Sequence, residues 1–228
     1  MKILFFSHNL WNISATARLA VELANVLKNE YNVEVEFAVS KRSNDEIKNI
    51  PFKIHTLRRK GELGRALDIK ELVEKNNYDI VFSYMLTQNI IISLVKYLLK
   101  NKTKTAFIGS VHAVDNYMSV KSIFKYPYRL LMKKLYENLD GIVVVSSAVK
   151  DDIVKAFFVS PNKIQVIYNY INIKKIKNLA SEDLNIKEKE IFKNPVIINV
   201  SRLENGKGHE YLIKAFSLIK EEIPNAKL

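Results

Sequence analysis

Cysteine is absent from the 228 residues, and that removes two kinds of architecture at once. Without it the chain can build neither a disulfide framework nor a thiolate metal site. The four histidines (His8, His55, His112 and His209) show no ligand spacing such as H-x-x-x-H, so no metal is expected. No run reaches the ~18 apolar residues that span a bilayer. The stretch from Met1 to Ser7 resembles a signal peptide only until His8 and Asn9 interrupt it, and no small-residue cleavage site follows. A cytoplasmic, non-integral protein is expected. Acidic residues are also scarce, 24 against 36 Lys and Arg, which leaves a formal charge of +12. Such an excess suits a nucleic acid, an anionic membrane face, or a general lysine bias in composition. With no RNP aromatic pattern, no helix-turn-helix and no zinc ligands, no nucleic-acid partner is expected.

What is present is ordinary for a globular chain: 48% hydrophobic and 26% charged residues, with length for one large or two small domains. Strands and helices alternate. Lys2 to Ser7, Asp79 to Tyr84 and Asp140 to Ser146 are continuous apolar runs of the kind buried in a parallel sheet. Val33 to Val39 alternates apolar and acidic residues, as a half-buried strand would. Phe52 to Leu57, Thr105 to Gly109 and Ile164 to Tyr168 read as further strands. Helices are predicted from Ser14, whose hydroxyl can cap the first one, and over Leu63 to Lys75, Asn89 to Leu99, Val120 to Asn138 and Ala148 to Phe157. The fold class this predicts is α/β: a Rossmann-like, doubly wound parallel sheet followed by the beginning of a second Rossmann-like domain. The expected boundaries are 1–172 for the first domain, 173–194 for a polar linker and 195–228 for the start of the second.

The most informative segment runs from Asn199 to Phe216. A β-branched run, Val196 to Val200, leads into Arg202, a short polar turn, Lys207 between two glycines, and an amphipathic helix. A helix N-terminus offers free N–H groups and the positive end of its dipole, which suits a diphosphate. Arg202 can grip phosphate oxygens with its planar fork and Lys207 adds a mobile point charge. Spacing alone is better served by two solvated turn residues.

This string resembles the "G-R-L-x-x-x-K-G" segment of nucleotide-sugar glycosyltransferases of GT-B architecture, glycosyltransferase family 4, with Ser201 in place of the first glycine. Leu139 to Ser147, followed by Lys163 to Asn172, resembles the same family's "a-D-x-i-i-x-x-S … k-i-x-v-I-x-N-G-i-D", with Tyr170 where glycine is usual and Asn172 where Asp is usual. The resemblance extends over essentially the whole chain. It implies a retaining transfer of a hexose or N-acetylhexosamine from a nucleotide-diphosphate sugar to a glycan or lipid-linked acceptor in cell-envelope polysaccharide synthesis, with no cofactor and no metal. Arg202 and Lys207 would hold the donor diphosphate and stabilise the charge that builds on it. His112, just after the strand residues Ile108 to Val111, stands where the family has an active-site histidine. Ser14 and Ala15 stand where it often has a glycine pair that lets backbone approach donor or acceptor. The family's Glu-x7-Glu carboxylate pair would lie beyond Leu228. The chain is therefore expected to be the C-terminally truncated front of a two-domain enzyme, unable to turn over by itself.

Tyr117 to Tyr136 mixes Lys121, Lys125, Arg129, Lys133 and Lys134 with Ile123, Phe124, Tyr126, Leu130 and Leu131, and Pro127 interrupts it. Such a helix can rest on anionic lipid at the inner face of the plasma membrane. Equally, its leucines can pack on the sheet while its lysines stay solvated. Two rival functions share parts of these observations: a non-catalytic remnant or accessory subunit with the same fold, and a nucleic-acid-binding protein, for which charge alone speaks.

Overall fold

A computed structural model describes residues 1–228 apart from 13, 43, 44, 46, 101, 102 and 114–121, and it describes no side chain for 122–125 and 205. The chain divides into two compact units, Met1–Tyr170 and Ile171–Leu228.

The first unit is a seven-stranded sheet: β1 (Lys2–Ser7), β2 (Glu34–Val39), β3 (Lys53–Thr56), β4 (Ile80–Tyr84), β5 (Ala106–Val111), β6 (Gly141–Val144) and β7 (Ile164–Val166). Its order is β3-β2-β1-β4-β5-β6-β7 and every pairing is parallel. The connecting helices are α1 (Ala15–Tyr31), α2 (Gly61–Asn76), α3 (Leu86–Leu99), α4 (Ser122–Asn138) and α5 (Ser147–Phe157). Their ends follow local chemistry. Ser14 and Ser146 cap α1 and α5 by accepting from Ala17 and Val149 N–H, while Asn32 and Asn77 close α1 and α2 in the left-handed region that asparagine tolerates. Pro127 lies inside α4, where its missing N–H removes one ladder bond.

Parallel crossovers are right-handed, so a chain that first winds one way from β1 and then the other way from β4 puts its helices on opposite faces. Ala17, Ala20, Val21 and Ala24 of α1 pack on one face with Phe5 and Phe37. Helices α2 to α5 share the other face with Leu4, Phe6, Val81, Phe107 and Val144. Strands β1 and β2 are thus buried on both sides. The runs of β4 and β6 read as fully buried strands, but there and in β5 alternate residues (Ile80, Phe82, Ile108, Val143) remain half-buried, because no described helix of this unit lies over that half of the α1 face.

A second departure concerns β2. Its acidic alternation predicts one solvated face, yet Glu36 is only 4% exposed. Its carboxylate is satisfied in place: His55 Nε2 and the Tyr78 hydroxyl each lie 2.5 Å from Oε2, and Lys2 Nζ lies 2.9 Å from Oε1. Burial alone would raise the Glu36 pKa, but the hydrogen bonds from His55, Tyr78 and Lys2 outweigh it and hold the group at about 2.

The second unit contains α6 (Ile173–Ala180), α7 (Ile186–Ile191) and α8 (His209–Glu222). The stretch expected as a linker therefore carries two short helices, the second opened by a capping box between Asn185 and Glu188. The run Val196 to Val200, which leads like a strand into the cationic turn, forms only one parallel bridge, Val196 to Lys227, because no ladder of neighbours extends it. Val200 is 92% exposed.

Candidate functional site

In a doubly wound sheet, ligands bind beyond the carboxyl ends of the strands where the winding reverses. That point here lies between β1 and β4, flanked by the start of α1, the start of α3 and the end of β5. Three of the residues singled out from the sequence lie along this edge. Ser14 acts as the cap of α1, its hydroxyl 3.3 Å from Ala17 N and 3.1 Å from Thr16 Oγ1. Ala15, the first helical residue, is exposed. His112 follows β5 directly.

A buried polar chain anchors His112. Ser83 Oγ donates to Asn89 Oδ1 at 2.6 Å, and Asn89 Nδ2 donates to the Ser110 carbonyl at 3.0 Å. That carbonyl also accepts from Met85 N–H at 3.1 Å. Met85 holds φ 75°, a strained value for a non-glycine residue, at the junction of β4 and α3. Gly109 must be glycine: a Cβ there would come within 2.9 Å of both Asn89 Cγ and Leu139 Cδ1. Ser110 Oγ in turn lies 3.3 Å from His112 Nε2. Burial lowers the His112 pKa, which favours a neutral imidazole, and the Tyr84 ring lies 6.0 Å from it centroid to centroid.

Three polar atoms near this edge are buried and find no protein partner among the described residues: the Tyr84 hydroxyl, the Trp11 indole N–H and the Ser40 hydroxyl. They sit at or just past the ends of β4, β1 and β2. Burial pushes the Tyr84 pKa well up, so its hydroxyl stays protonated. Orphaned donors are uncommon inside proteins and collect where something else binds. An apolar groove of about 450 Å³ runs from here over the half of the sheet that no described helix of this unit covers, between Leu23 of α1 and Phe82, Ile108 and Val143. The sequence reading missed Ser83, Asn89, Ser110 and Tyr84. The available signal was a polar residue interrupting an apolar strand.

The second unit carries the cation pair. Gly208 adopts φ 68° and precedes α8 without a side-chain cap, and a 3-10 turn over Asn205–Lys207 brings Lys207 up to that end. Lys207 is exposed, while Arg202 pairs with Glu204 at 2.9 Å. Ser201, in the place of the missing glycine, bridges Asn199 Oδ1 at 2.7 Å and His209 Nε2 at 2.9 Å. Among the described residues no group of three His, Asp or Glu side chains could hold a metal ion.

On α4, Tyr126, Leu130 and Leu131 are exposed beside Lys133 and Lys134. Arg129 is not among the residues facing outward: it donates to the Ala156 and Lys155 carbonyls at 2.7 and 2.5 Å and stacks on Phe158. It closes the C-terminal end of α5. Residues 117–121 and the side chains of Ile123, Phe124 and Lys125 lie outside the described residues. No described helix is long and apolar enough to cross a membrane.

Residues 16–175 match the family Glycosyltransferase Family 4. The chain belongs to glycosyltransferase family 4. The chain is 30% identical over 159 residues to the N-acetylgalactosamine-N,N'-diacetylbacillosaminyl-diphospho-undecaprenol 4-alpha-N-acetylgalactosaminyltransferase of Campylobacter jejuni, covering 69% of this chain and 41% of that protein. It is also 30% identical over 186 residues to an uncharacterized glycosyltransferase of Methanocaldococcus jannaschii, covering 78% of this chain and 43% of that one. It thus spans about two fifths of the length of the curated relatives it matches. Among solved structures, a glycosyltransferase from Rickettsia africae superposes with a TM-score of 0.71 at 23% identity, over 96% of this chain and 57% of the other. Anabaena HepE, solved in complex with UDP and glucose, superposes at 0.69 with 15% identity, over 99% of this chain and 59% of the other. Both show the GT-B type of fold for this family-4 chain.

Proposed function

We propose that residues 1–172 form the acceptor-side part, and residues 195–228 the start of the donor-binding part, of a retaining glycosyltransferase. It transfers a hexose or N-acetylhexosamine from a nucleotide-diphosphate sugar to a glycan or lipid-linked acceptor in cell-envelope polysaccharide synthesis. The observation that carries this reading is the uncapped start of α8 with Lys207 just before it, and with Ser201, the neighbour of Arg202 in sequence, 2.9 Å from His209 Nε2 at that same helix end. A leaving nucleoside diphosphate gathers negative charge as the sugar departs, and two cations at a helix N-terminus stabilise that charge without a metal. His112, held at the sheet edge, serves the sugar or the acceptor hydroxyl, with Ser14 and Ala15 along the same edge. The Campylobacter relative, named for N-acetylgalactosaminyl transfer to a diphospho-undecaprenol-linked sugar, supports an N-acetylhexosamine and a lipid-linked acceptor. Kinetics of sugar transfer by the protein that carries this chain give the test. Lys207→Ala and Arg202→Ala should each weaken donor binding or slow transfer about tenfold or more, the scale of one charge-assisted contact. Unchanged kinetics in both variants would overturn the assignment.

A peripheral contact with anionic lipid belongs to the same proposal. It is supported by the exposed Tyr126, Leu130 and Leu131 beside Lys133 and Lys134, with each basic residue near the surface adding ~1 kcal/mol. Binding to anionic vesicles should fall with added salt and with Lys133→Glu plus Lys134→Glu. Equal binding to neutral vesicles would refute it.

A further inference from the structure

The anchors of His112 carry an inference that rests on its place in the proposed site and reaches past it, to the chemical form in which the imidazole is held. Ser110 is only 3% exposed, and its hydroxyl has one partner among the described residues, His112 Nε2. A buried hydroxyl must place its proton on an acceptor or leave a donor unpaired, and the imidazole nitrogen is the acceptor within reach. A neutral imidazole has one bare and one protonated nitrogen; with Nε2 accepting, the proton resides on Nδ1.

The hydroxyl itself is not free to drift. The Ser110 carbonyl is gripped by both Met85 N–H and Asn89 Nδ2, and Asn89 is turned the right way round by the Ser83 hydroxyl, which needs the amide oxygen as its acceptor. Asn89 packs into the space that a Cβ at Gly109 would fill, 2.9 Å from its Cγ, so the tether depends on that glycine. Strand end, hydroxyl and imidazole are thus located by one connected set of buried groups.

We propose that Ser110 is a positioning residue for His112, held by Asn89 and Ser83, and that it fixes the imidazole as its Nδ1–H tautomer. His112 then offers a neutral hydrogen-bond donor to an oxygen of the bound ligand, and it cannot act as a base through that nitrogen.

Tautomers are read directly by long-range ¹H–¹⁵N correlation spectra of the ¹⁵N-labelled 228-residue chain, with the His112 signals identified by their loss in His112→Gln. Above the pH at which His112 titrates, the wild-type chain should give the Nδ1–H pattern. Ser110→Ala should shift the tautomer ratio toward Nε2–H by about tenfold, the equilibrium factor of ~1.4 kcal/mol. Ser110→Thr, which keeps the hydroxyl, should restore the wild-type pattern. An Nε2–H pattern in the wild-type chain overturns the proposal whether or not any variant folds, and so does an unchanged ratio in a folded Ser110→Ala chain. Sugar transfer unaffected by His112→Ala would remove His112 from the site, and it is a separate measurement that leaves the tautomer result standing.

Discussion

Residues 1–170 and 171–228 draw on the same apolar residue types and use them differently. In the first unit Leu4, Phe6, Phe37, Ile91 and Phe107 are fully buried between a seven-stranded ladder and the helices around it. In the second, Ile198, Val200, Tyr211 and Leu218 are exposed, and Ala226 is the one buried residue among those described. Both contain β-branched runs and amphipathic helices. What differs is pairing. A run such as Lys2 to Ser7 has a neighbour on each side, while Val196 to Val200 has one bridge. Apolar content makes a core only where parallel neighbours and covering helices close around it.

The sharpest way to break that comparison is to cut a side chain from each unit. Phe107→Ala should cost about 3–5 kcal/mol in urea unfolding, because a fully buried ring leaves a cavity that its surroundings cannot fill. A loss below about 1 kcal/mol would mean that the first unit is not packed as described.

The next effect concerns the one buried carboxylate of the sheet. The Glu36 pKa is held at about 2 in the folded chain, below its ordinary 4.5. A depressed carboxylate stabilises the fold above its unfolded pKa, and that contribution is lost as pH falls from about 4.5 through 2. It amounts to roughly 3 kcal/mol. Stability measured across that window should fall more steeply in the wild type than in Glu36→Gln. Parallel curves for the two proteins would show that the His55, Tyr78 and Lys2 contacts do not hold the charge. The smallest effect is expected in the second unit, where Leu218→Ala removes a side chain 64% exposed and should change stability by less than about 0.5 kcal/mol.

The parts of the fold that depend on neighbours in sequence were legible. Apolar runs announced β1, β4 and β6, and Ser14 announced the cap of α1. The strand end before His112 could be read as well, since it needs only the apolar run ending at Val111. What could not be read is settled across long separations. Glu36 looked like a solvated residue of an alternating strand until Lys2, His55 and Tyr78, from three other parts of the chain, were brought against it. Arg129 looked like a lipid-facing cation, but the carbonyls that claim it are 26 and 27 residues away. The tether from Asn89 to Ser110 spans 21 residues and depends on Gly109 having no side chain. Spacing in the sequence carries no trace of such contacts, so the identity of His112 could be proposed from it while its support could not.

The strip of sheet that no described helix of the first unit covers has a consequence for how the chain behaves among its own copies. The strip of Ile80, Phe82, Ile108 and Val143 is apolar, and the chain around it carries a net charge of +12. In dilute buffer the like charges hold molecules apart. At 0.15 M salt that repulsion is cut off within roughly 8 Å, and apolar strips can then meet face to face. Solubility should therefore fall as salt is added, the reverse of ordinary salting-in, and a mild detergent that coats the strip should restore it. The solubility expected of this chain thus depends on a strip that no described helix of the first unit covers and on the ionic strength around it.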